Sequence, residues 1–597
     1  MKWFEFKKLI GINIRLRIRE LIYFLRTSDA SYFLVFSILV GTGTAFGAIF
    51  FRWLILQINI LFFVKGEHLL GFMGHYYIII IPVIGGLMVG PIVHFFAREA
   101  KGHGVPEVIN AMVTKGGKIR PRVAIVKTLA SSICIGSGGS AGREGPIIQI
   151  GSALGSSIGQ LFNMTEEKTK TLVACGAGAG IAATFNAPLG GIFFALEVIL
   201  REYGLKNFSS VVLSSVTATV ISRSFLGDHP TFHTPPFQLY SIMDMPYYLI
   251  FGLFTALVAL LFIKVLYKSE DIFNSIKMPA YLKPALGGLM IGLIGLFFPQ
   301  VFGVGYDVIE STINGEIVIG IVVALVFLKI IATSITLGSG GSGGIFAPSL
   351  FIGALLGEAF GRTATIILPS TVIPPGAFAL VGMAAVFAGT SHAPISAILL
   401  LFEMTGNYQI LPPLMVTCVI TVVLVRWISK PSIYTLKLLR RGIDIEKYTE
   451  VDLMDSITVS EAMIKDVIAV NESETVRDVG LKIKKTNHRG FPVISKDGRL
   501  VGMVTRQDIN KALQSEDADS AVQKVMTKDI IVCFPNESLK TALNKMARKN
   551  IGRIPVVEKE KREKIIGILT RKSIINAYNY SLDRISGRPA DNPILHD

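Results

Sequence analysis

The chain has 597 residues, 51% of them hydrophobic and 17% charged, with a formal net charge of +16. An average soluble chain is about 25% charged, so this composition excludes an ordinary soluble domain, and the length calls for more than one folding unit. The surplus of positive charge forms no basic stripe interleaved with aromatics, which argues against nucleic acid as a partner.

Along the chain, the first 26 residues hold Lys2, Lys7, Lys8, Arg15, Arg17, Arg19 and Arg26 ahead of any apolar window. They lack the short apolar core and small-residue cleavage site of a signal peptide. Basic residues beside a first span favour a cytoplasmic N-terminus; a basic helix lying on anionic lipid is the alternative. Uncharged windows then run from Tyr32 to Phe51, Pro246 to Ile263, Ala285 to Tyr306, Ile330 to Gly357, Thr363 to Phe402 and Met404 to Val425. A spanning helix needs about 20 apolar residues, so these windows predict an integral multi-pass protein of the cell membrane, embedded in the lipid bilayer. Beyond Arg440 charges recur every few residues, which marks a soluble, cytoplasmic C-terminal region. The expected divisions are a basic cytosolic segment 1–26, a membrane domain 27–440, soluble repeats 455–515 and 516–580, and a loose tail 581–597. Cys134, Cys175, Cys418 and Cys533 show neither metal-ligand spacing nor a disulfide framework and read as small core residues.

Both regions repeat internally. Gly136-Ser-Gly-Gly-Ser-Ala-Gly-Arg-Glu-Gly-Pro146 recurs as Gly338-Ser-Gly-Gly-Ser-Gly-Gly-Ile-Phe-Ala-Pro348. At nearly the same separation, Gly176 to Val198 recurs as Gly382 to Met404, pairing Ala187-Pro188 with Ala393-Pro394 and Glu197 with Glu403. Gly and Pro at bilayer depth break helices and expose backbone groups that lipid cannot satisfy. Each copy ends in a proline, favoured in a first helical turn, so each is expected to feed a helix N-terminus near mid-membrane. Such an end offers free N–H groups and about half a positive charge, and two of them converging can hold an anion without a full positive charge. Paired broken segments in two halves are a pointer to a transporter binding site. Close packing of helices through small residues is the alternative reading of the glycines.

These residues resemble the CLC family of chloride channels and chloride/proton antiporters. Gly102-His-Gly-Val-Pro106, Gly142-Arg-Glu-Gly-Pro146 and Gly344-Ile-Phe-Ala-Pro348 stand in the order of three family motifs, and Pro431-Ser-Ile-Tyr434 falls at the family's pore tyrosine. The resemblance implies an all-α polytopic membrane domain with an inverted repeat and broken helices, and a homodimer with a pore in each subunit. It assigns Ile345, Phe346 and Tyr434 to a central anion, with His103 and Gly104 in the first loop, and Arg143 and Gly145 to an outer site. Glu144 is the implied gate, its carboxylate occupying an anion site when charged and leaving it when protonated; a structural pair with Arg143 is the alternative. His103 replaces the family's serine, and its imidazole either donates to the anion or points away. Val198 replaces the glutamate with which many family antiporters accept protons, so a passive channel is slightly favoured over an exchanger. Glu197 and Glu403 read as buried, hydrogen-bonded structural residues.

At the C-terminus, Phe491-Pro-Val and Gly502-Met-Val-Thr-Arg-Gln-Asp508 return as Ile554-Pro-Val and Gly567-Ile-Leu-Thr-Arg-Lys-Ser573. Short Val- and Ile-rich runs alternate with amphipathic stretches. This pattern resembles an α/β pair of CBS repeats. The resemblance implies an adenine nucleotide contacted by Thr505, Asp508 and Thr570, with Ser573 in place of the second aspartate; a ligand-free dimerisation module is the alternative. No other cofactor and no metal is called for. A CBS-linked divalent-cation transporter would need acidic residues facing a pore, and the membrane region offers mainly Glu144, Glu197 and Glu403. An enzyme would need a nucleophile–base or metal-ligand constellation, and none is legible.

Overall fold

The computed structural model describes residues 29–228, 230–232, 234, 244–367, 373–445, 454, 457–486, 488–515, 518–561 and 563–586. The basic segment 1–26 and most of the tail 581–597 lie outside the described residues; the final helix, Arg571–Ser586, includes the first residues of that tail. The chain forms two compact units, Met1–Ile445 and Glu446–Asp597.

The first unit is helical and duplicated. Its first half runs α1 Asp29–Asn59, α2 Tyr77–Pro91, α3 Val105–Thr114, α4 Arg122–Gly136, α5 Glu144–Leu161, α6 Glu166–Phe185, α7 Pro188–Phe194 and α8 Leu205–Leu226. The second half repeats the order as α9 Met245–Ser275, α10 Lys283–Phe297, α11 Tyr306–Ile313, α12 Ile319–Gly338, α13 Phe346–Ile367, α14 Pro375–Ser391, α15 Pro394–Thr405 and α16 Leu411–Ile428. A short α17, Thr435–Leu439, follows. Seven helices among the described residues are long and apolar enough to cross a membrane. Others, such as α3 and α11, are too short to do so, as breaks at Gly and Pro require.

Why the halves adopt the same course is visible at their glycines. A Cβ on Gly176 of α6 would lie 2.0 Å from the Gly151 carbonyl oxygen of α5, and one on Gly151 would lie 2.2 Å from that of Gly176. The equivalent pair in the second half, Gly353 of α13 and Gly382 of α14, stands in the same relation at 2.2 Å each way. Backbone-to-backbone contact of this kind is how membrane helices gain packing energy without a hydrophobic driving force between them. Small-residue packing is therefore present, and it accompanies the loop-to-helix starts described below.

The second unit holds two small sheets. In one, β1 Val470–Asn471 lies parallel to β2 Gly490–Ile494, which pairs antiparallel with β3 Leu500–Thr505; in the other, β4 Arg553–Val557 pairs antiparallel with β5 Ile565–Thr570. The registers coincide, Gly490 facing Thr505 and Arg553 facing Thr570. The segments that precede each copy are exchanged. Thr458 bridges to Ser538 and Ile464 to Ile568, whereas Thr475 bridges to Ala521 and Met503 to Thr527. One hydrophobic core thus joins Ile457, Val459 and Met463 to Leu539, Ile554 and Leu569, and the other joins Val470, Val479 and Phe491 to Val522. A linear division at 515 and 516 cuts across both cores. All four cysteines are free and buried.

Replacing Gly176 with Ala is expected to lower the thermal midpoint of the purified protein by several degrees, because overpacking costs roughly 1–3 kcal/mol. The control is Gly43→Ala, where a Cβ meets nothing within 4 Å and the midpoint should hold or rise. Scanning fluorimetry in detergent distinguishes the two.

Candidate functional site

Three glycine loops meet in the middle of the first unit. The Gly142 N–H donates to the Gly344 carbonyl at 2.8 Å and the Gly344 N–H returns to that of Gly142 at 2.6 Å, so the two copies of the Gly/Ser motif are hydrogen-bonded to each other. The first loop joins them, with Gly102 N–H donating to the Gly341 carbonyl at 2.9 Å and Gly343 N–H to that of Gly102 at 3.3 Å. From this knot three helices depart. Helix α5 begins at Glu144, α13 at Phe346, and α3 at Val105 after Gly104, whose φ of 80° a side chain would strain. The starts are in contact: a Cβ on Gly145 would lie 2.3 Å from the His103 carbonyl and 2.9 Å from Gly344 Cα.

The side chains predicted for the site collect here. Ile345, Phe346, Tyr434 and His103 are all buried. The rings of His103 and Tyr434 are 5.9 Å apart, and His103 Nδ1 is buried without a hydrogen-bond partner among the described residues. Tyr434 is fixed from behind, because Tyr267 Oη donates to the Ile433 carbonyl at 2.5 Å and Ile433 N–H donates to that of Thr390 at 2.9 Å. The Phe346 ring packs against Phe387 at 4.0 Å and Phe185 at 5.2 Å.

Glu144 is fully buried. Its Oε2 accepts from the Ala347 N–H at 3.3 Å, so a carboxylate from the first half lies at the head of α13 in the second. Its Oε1 accepts from Tyr306 Oη at 2.5 Å. Arg143 Nε stays 3.9 Å from that oxygen, too long for a hydrogen bond, which makes a plain Arg143–Glu144 pair a poor account of the position.

Several residues of the site were not singled out from sequence. Lys127 of α4 is fully buried and donates to the carbonyls of Ala100 at 3.0 Å and Gly102 at 2.7 Å. Its repeat counterpart Lys329 of α12 does the same for Val301 and Gly303, both at 3.0 Å. The expectation of a site free of full positive charge meets a buried lysine side chain directly behind the first loop. Its donors are turned to carbonyls, so it stiffens the loop and leaves the N–H groups facing inward. The signal was available, since Gly303-Val-Gly305 repeats Gly102-His-Gly104 and both lysines precede their Gly/Ser runs by the same distance.

Glu197 and Glu403 cap helices of the opposite half. Glu197 Oε2 accepts from Ser396 N–H at 2.8 Å at the start of α15, and Glu403 accepts from Leu189 and Gly190 N–H at 3.0 and 2.8 Å at the start of α7. Carboxylates at helix N-termini are favourable there, and this reciprocity is what a pseudo-two-fold relation between halves produces. In the second unit, Thr505 and Asp508 are brought together at the head of the helix Arg506–Leu513, Thr505 Oγ1 donating to Asp508 Oδ2 at 2.7 Å. Thr570 and Ser573 form the equivalent turn, Ser573 N–H donating to Thr570 Oγ1 at 3.1 Å.

Comparison with known proteins agrees with this geometry. The family model described as voltage gated chloride channel matches residues 85–426, and the CBS domain model matches 459–515 and 522–580. An H(+)/Cl(-) exchange transporter ClcA from Vibrio parahaemolyticus serotype O3:K6 (strain RIMD 2210633) is 36% identical over 377 residues, 61% of this chain and 79% of that protein. Among solved structures, that of a slow cyanobacterial Cl-/H+ antiporter superposes with a TM-score of 0.64 at 29% identity, covering 68% of this chain and 97% of that one. The structure of a eukaryotic CLC transporter covers 93% of this chain and 98% of that one with a TM-score of 0.62 at 22% identity, a likeness of fold. The chain belongs to the CLC family of anion-transporting membrane proteins and carries a C-terminal CBS pair.

Lys127→Met keeps the side-chain volume and removes both loop bonds. An intramolecular hydrogen bond contributes about 0.5–1.5 kcal/mol, so with the loop loosened chloride affinity measured by calorimetry in detergent should fall up to about tenfold. Unchanged affinity would mean that the loop keeps its shape without the lysine.

Proposed function

We propose that this protein exchanges chloride for protons across the cell membrane, as a homodimer with both termini cytoplasmic, and that Glu144 is the group at which the two ions meet. The observation that carries this reading is the Glu144 carboxylate on the Ala347 N–H. That is where a small anion would bind at the head of α13, and a carboxylate is also a proton carrier. Ionised, Glu144 competes with chloride for the N–H groups; protonated, it loses that attraction and yields the place. Proton uptake and anion entry are thereby alternatives at one point in space.

In this reading the N–H groups of Ile345 and Phe346 with the Tyr434 hydroxyl hold the central chloride, and His103 and Gly104 border it. The backbone of Arg143 to Gly145 supports an outer ion. The names of the relatives favour an exchanger over the channel that Val198 suggested. A valine at 198 relays no proton, so the channel stands as the second reading, and water would have to carry protons past this buried residue.

Purified protein in liposomes under opposed chloride and proton gradients separates the two. Exchange predicts a reversal potential displaced from the chloride Nernst potential, and Glu144→Ala should return it there and flatten the pH dependence of transport between about pH 5 and 8. Reversal at the chloride Nernst potential in the wild type would establish the channel.

We further propose that the CBS pair binds an adenine nucleotide at Thr505, Asp508 and Thr570. Asp508 is already engaged in capping its own helix, so ribose hydroxyls would join that turn rather than create it. Titration of a 446–597 fragment with ATP, ADP and AMP should give heat with at least one, reduced by Asp508→Ala. Absence of heat with all three leaves the module a dimerisation element.

A further inference from the structure

Tyr306 is the first residue of α11, and nothing so far has given it a task beyond the 2.5 Å bond from its hydroxyl to Glu144 Oε1. We propose that Tyr306 is a positioning residue, a phenol latch that holds ionised Glu144 in the anion's place and sets how readily the carboxylate leaves it. The inference rests on the reading of Glu144 as the gate and adds to it the donor that governs its release.

The latch has a fixed origin. Gly305 before it adopts φ 85°, where a Cβ would meet Phe351 at 2.7 Å, and the carbonyls of Val301 and Gly303 are held by the buried Lys329. The ring is fixed as well. Phe232 meets it edge-on at 5.6 Å, and the Arg143 guanidinium lies 5.1 Å from its centre. A donor anchored at both backbone and ring loses little freedom when it bonds a carboxylate.

The duplication supplies an independent argument. The counterpart of Gly303-Val-Gly-Tyr306 is Gly102-His-Gly-Val105, and that of Glu144 is Phe346. In the repeat, therefore, both positions are apolar. The structure brings the two polar departures into contact, a donor in one half and an acceptor in the other. Helix packing alone would be served by the apolar pair that the other copy retains.

The charged and titratable groups facing this bond are Arg143, at 3.9 Å from Glu144 Oε1, Arg52 of α1, which interacts electrostatically with Arg143 and Tyr306, and Tyr434, which interacts with Glu144. Arg143 supplies field to the carboxylate and the phenol supplies its hydrogen bond.

The test is Tyr306→Phe in liposomes, alone and together with Glu144→Ala. Loss of the donor should move the half-maximal pH of transport about one unit to the alkaline side, a tenfold lower proton requirement, and the shift should vanish in the double variant. A wild-type pH profile in Tyr306→Phe, or an equal change in the Glu144→Ala background, overturns the latch. Failure of the gate itself reads differently: Glu144→Ala alone would then keep the wild-type pH profile. Should Tyr306→Phe not fold, 3-fluorotyrosine installed at position 306 alone, a stronger donor of nearly the same shape, must move the profile to the acid side. No shift or an alkaline one contradicts the proposal.

Discussion

Backbone N–H groups released by a broken helix need partners wherever water is absent, and in lipid that requirement is close to absolute. In this protein the two breaks solve part of it by bonding to each other across the pair Gly142 and Gly344. What that pairing leaves for other acceptors are first-turn donors of α5 and α13, such as the Ala347 N–H. Half a positive charge at each of two helix ends, about 4 Å from an anion at an effective dielectric near 20, contributes about 4 kcal/mol together. This is enough to offset part of an anion's lost hydration and too little to trap it. The Glu144 carboxylate accepts from one of these donors, the Ala347 N–H.

Duplication divides the unit into parts that match and parts that differ. Lys127 and Lys329 grip equivalent loops, Glu197 and Glu403 cap each other's partner helices, and Gly151–Gly176 and Gly353–Gly382 press the same helix pairs together. Those matched features build the scaffold. The differences lie at the knot: Glu144 against Phe346, His103 against Val304, Tyr306 against Val105. A symmetric frame therefore carries an asymmetric site, with titratable groups supplied by whichever half offers the needed approach.

Much of this was legible in the chain. The Gly/Ser runs ending in Pro146 and Pro348 announced helix starts because proline has few other uses at that depth, and the second matched pair fixed the duplication. Glu197 and Glu403 were read as buried, hydrogen-bonded structural groups; each bonds backbone donors, and both are half-buried rather than buried. Tyr306 was hidden, since a tyrosine at the edge of an apolar window looks like an interfacial anchor and its partner lies 162 residues away. The buried lysines were legible only by aligning the two halves, since one helix sequence by itself does not reveal that its lysine reaches carbonyls of a loop 25 residues earlier. The exchanged segments of the CBS pair could not be read either, because Thr458 and Thr475 belong to similar short runs that either copy could accept.

An ion bound by peptide dipoles should be visible once the carboxylate is removed. Crystals of Glu144→Ala grown with bromide give an anomalous signal that marks the anion without ambiguity. The account predicts bromide within about 3.5 Å of the Phe346 and Ala347 N–H groups, in the volume vacated by the carboxylate. Bromide absent from that volume, or bound only beside lysine and arginine side chains, would contradict it.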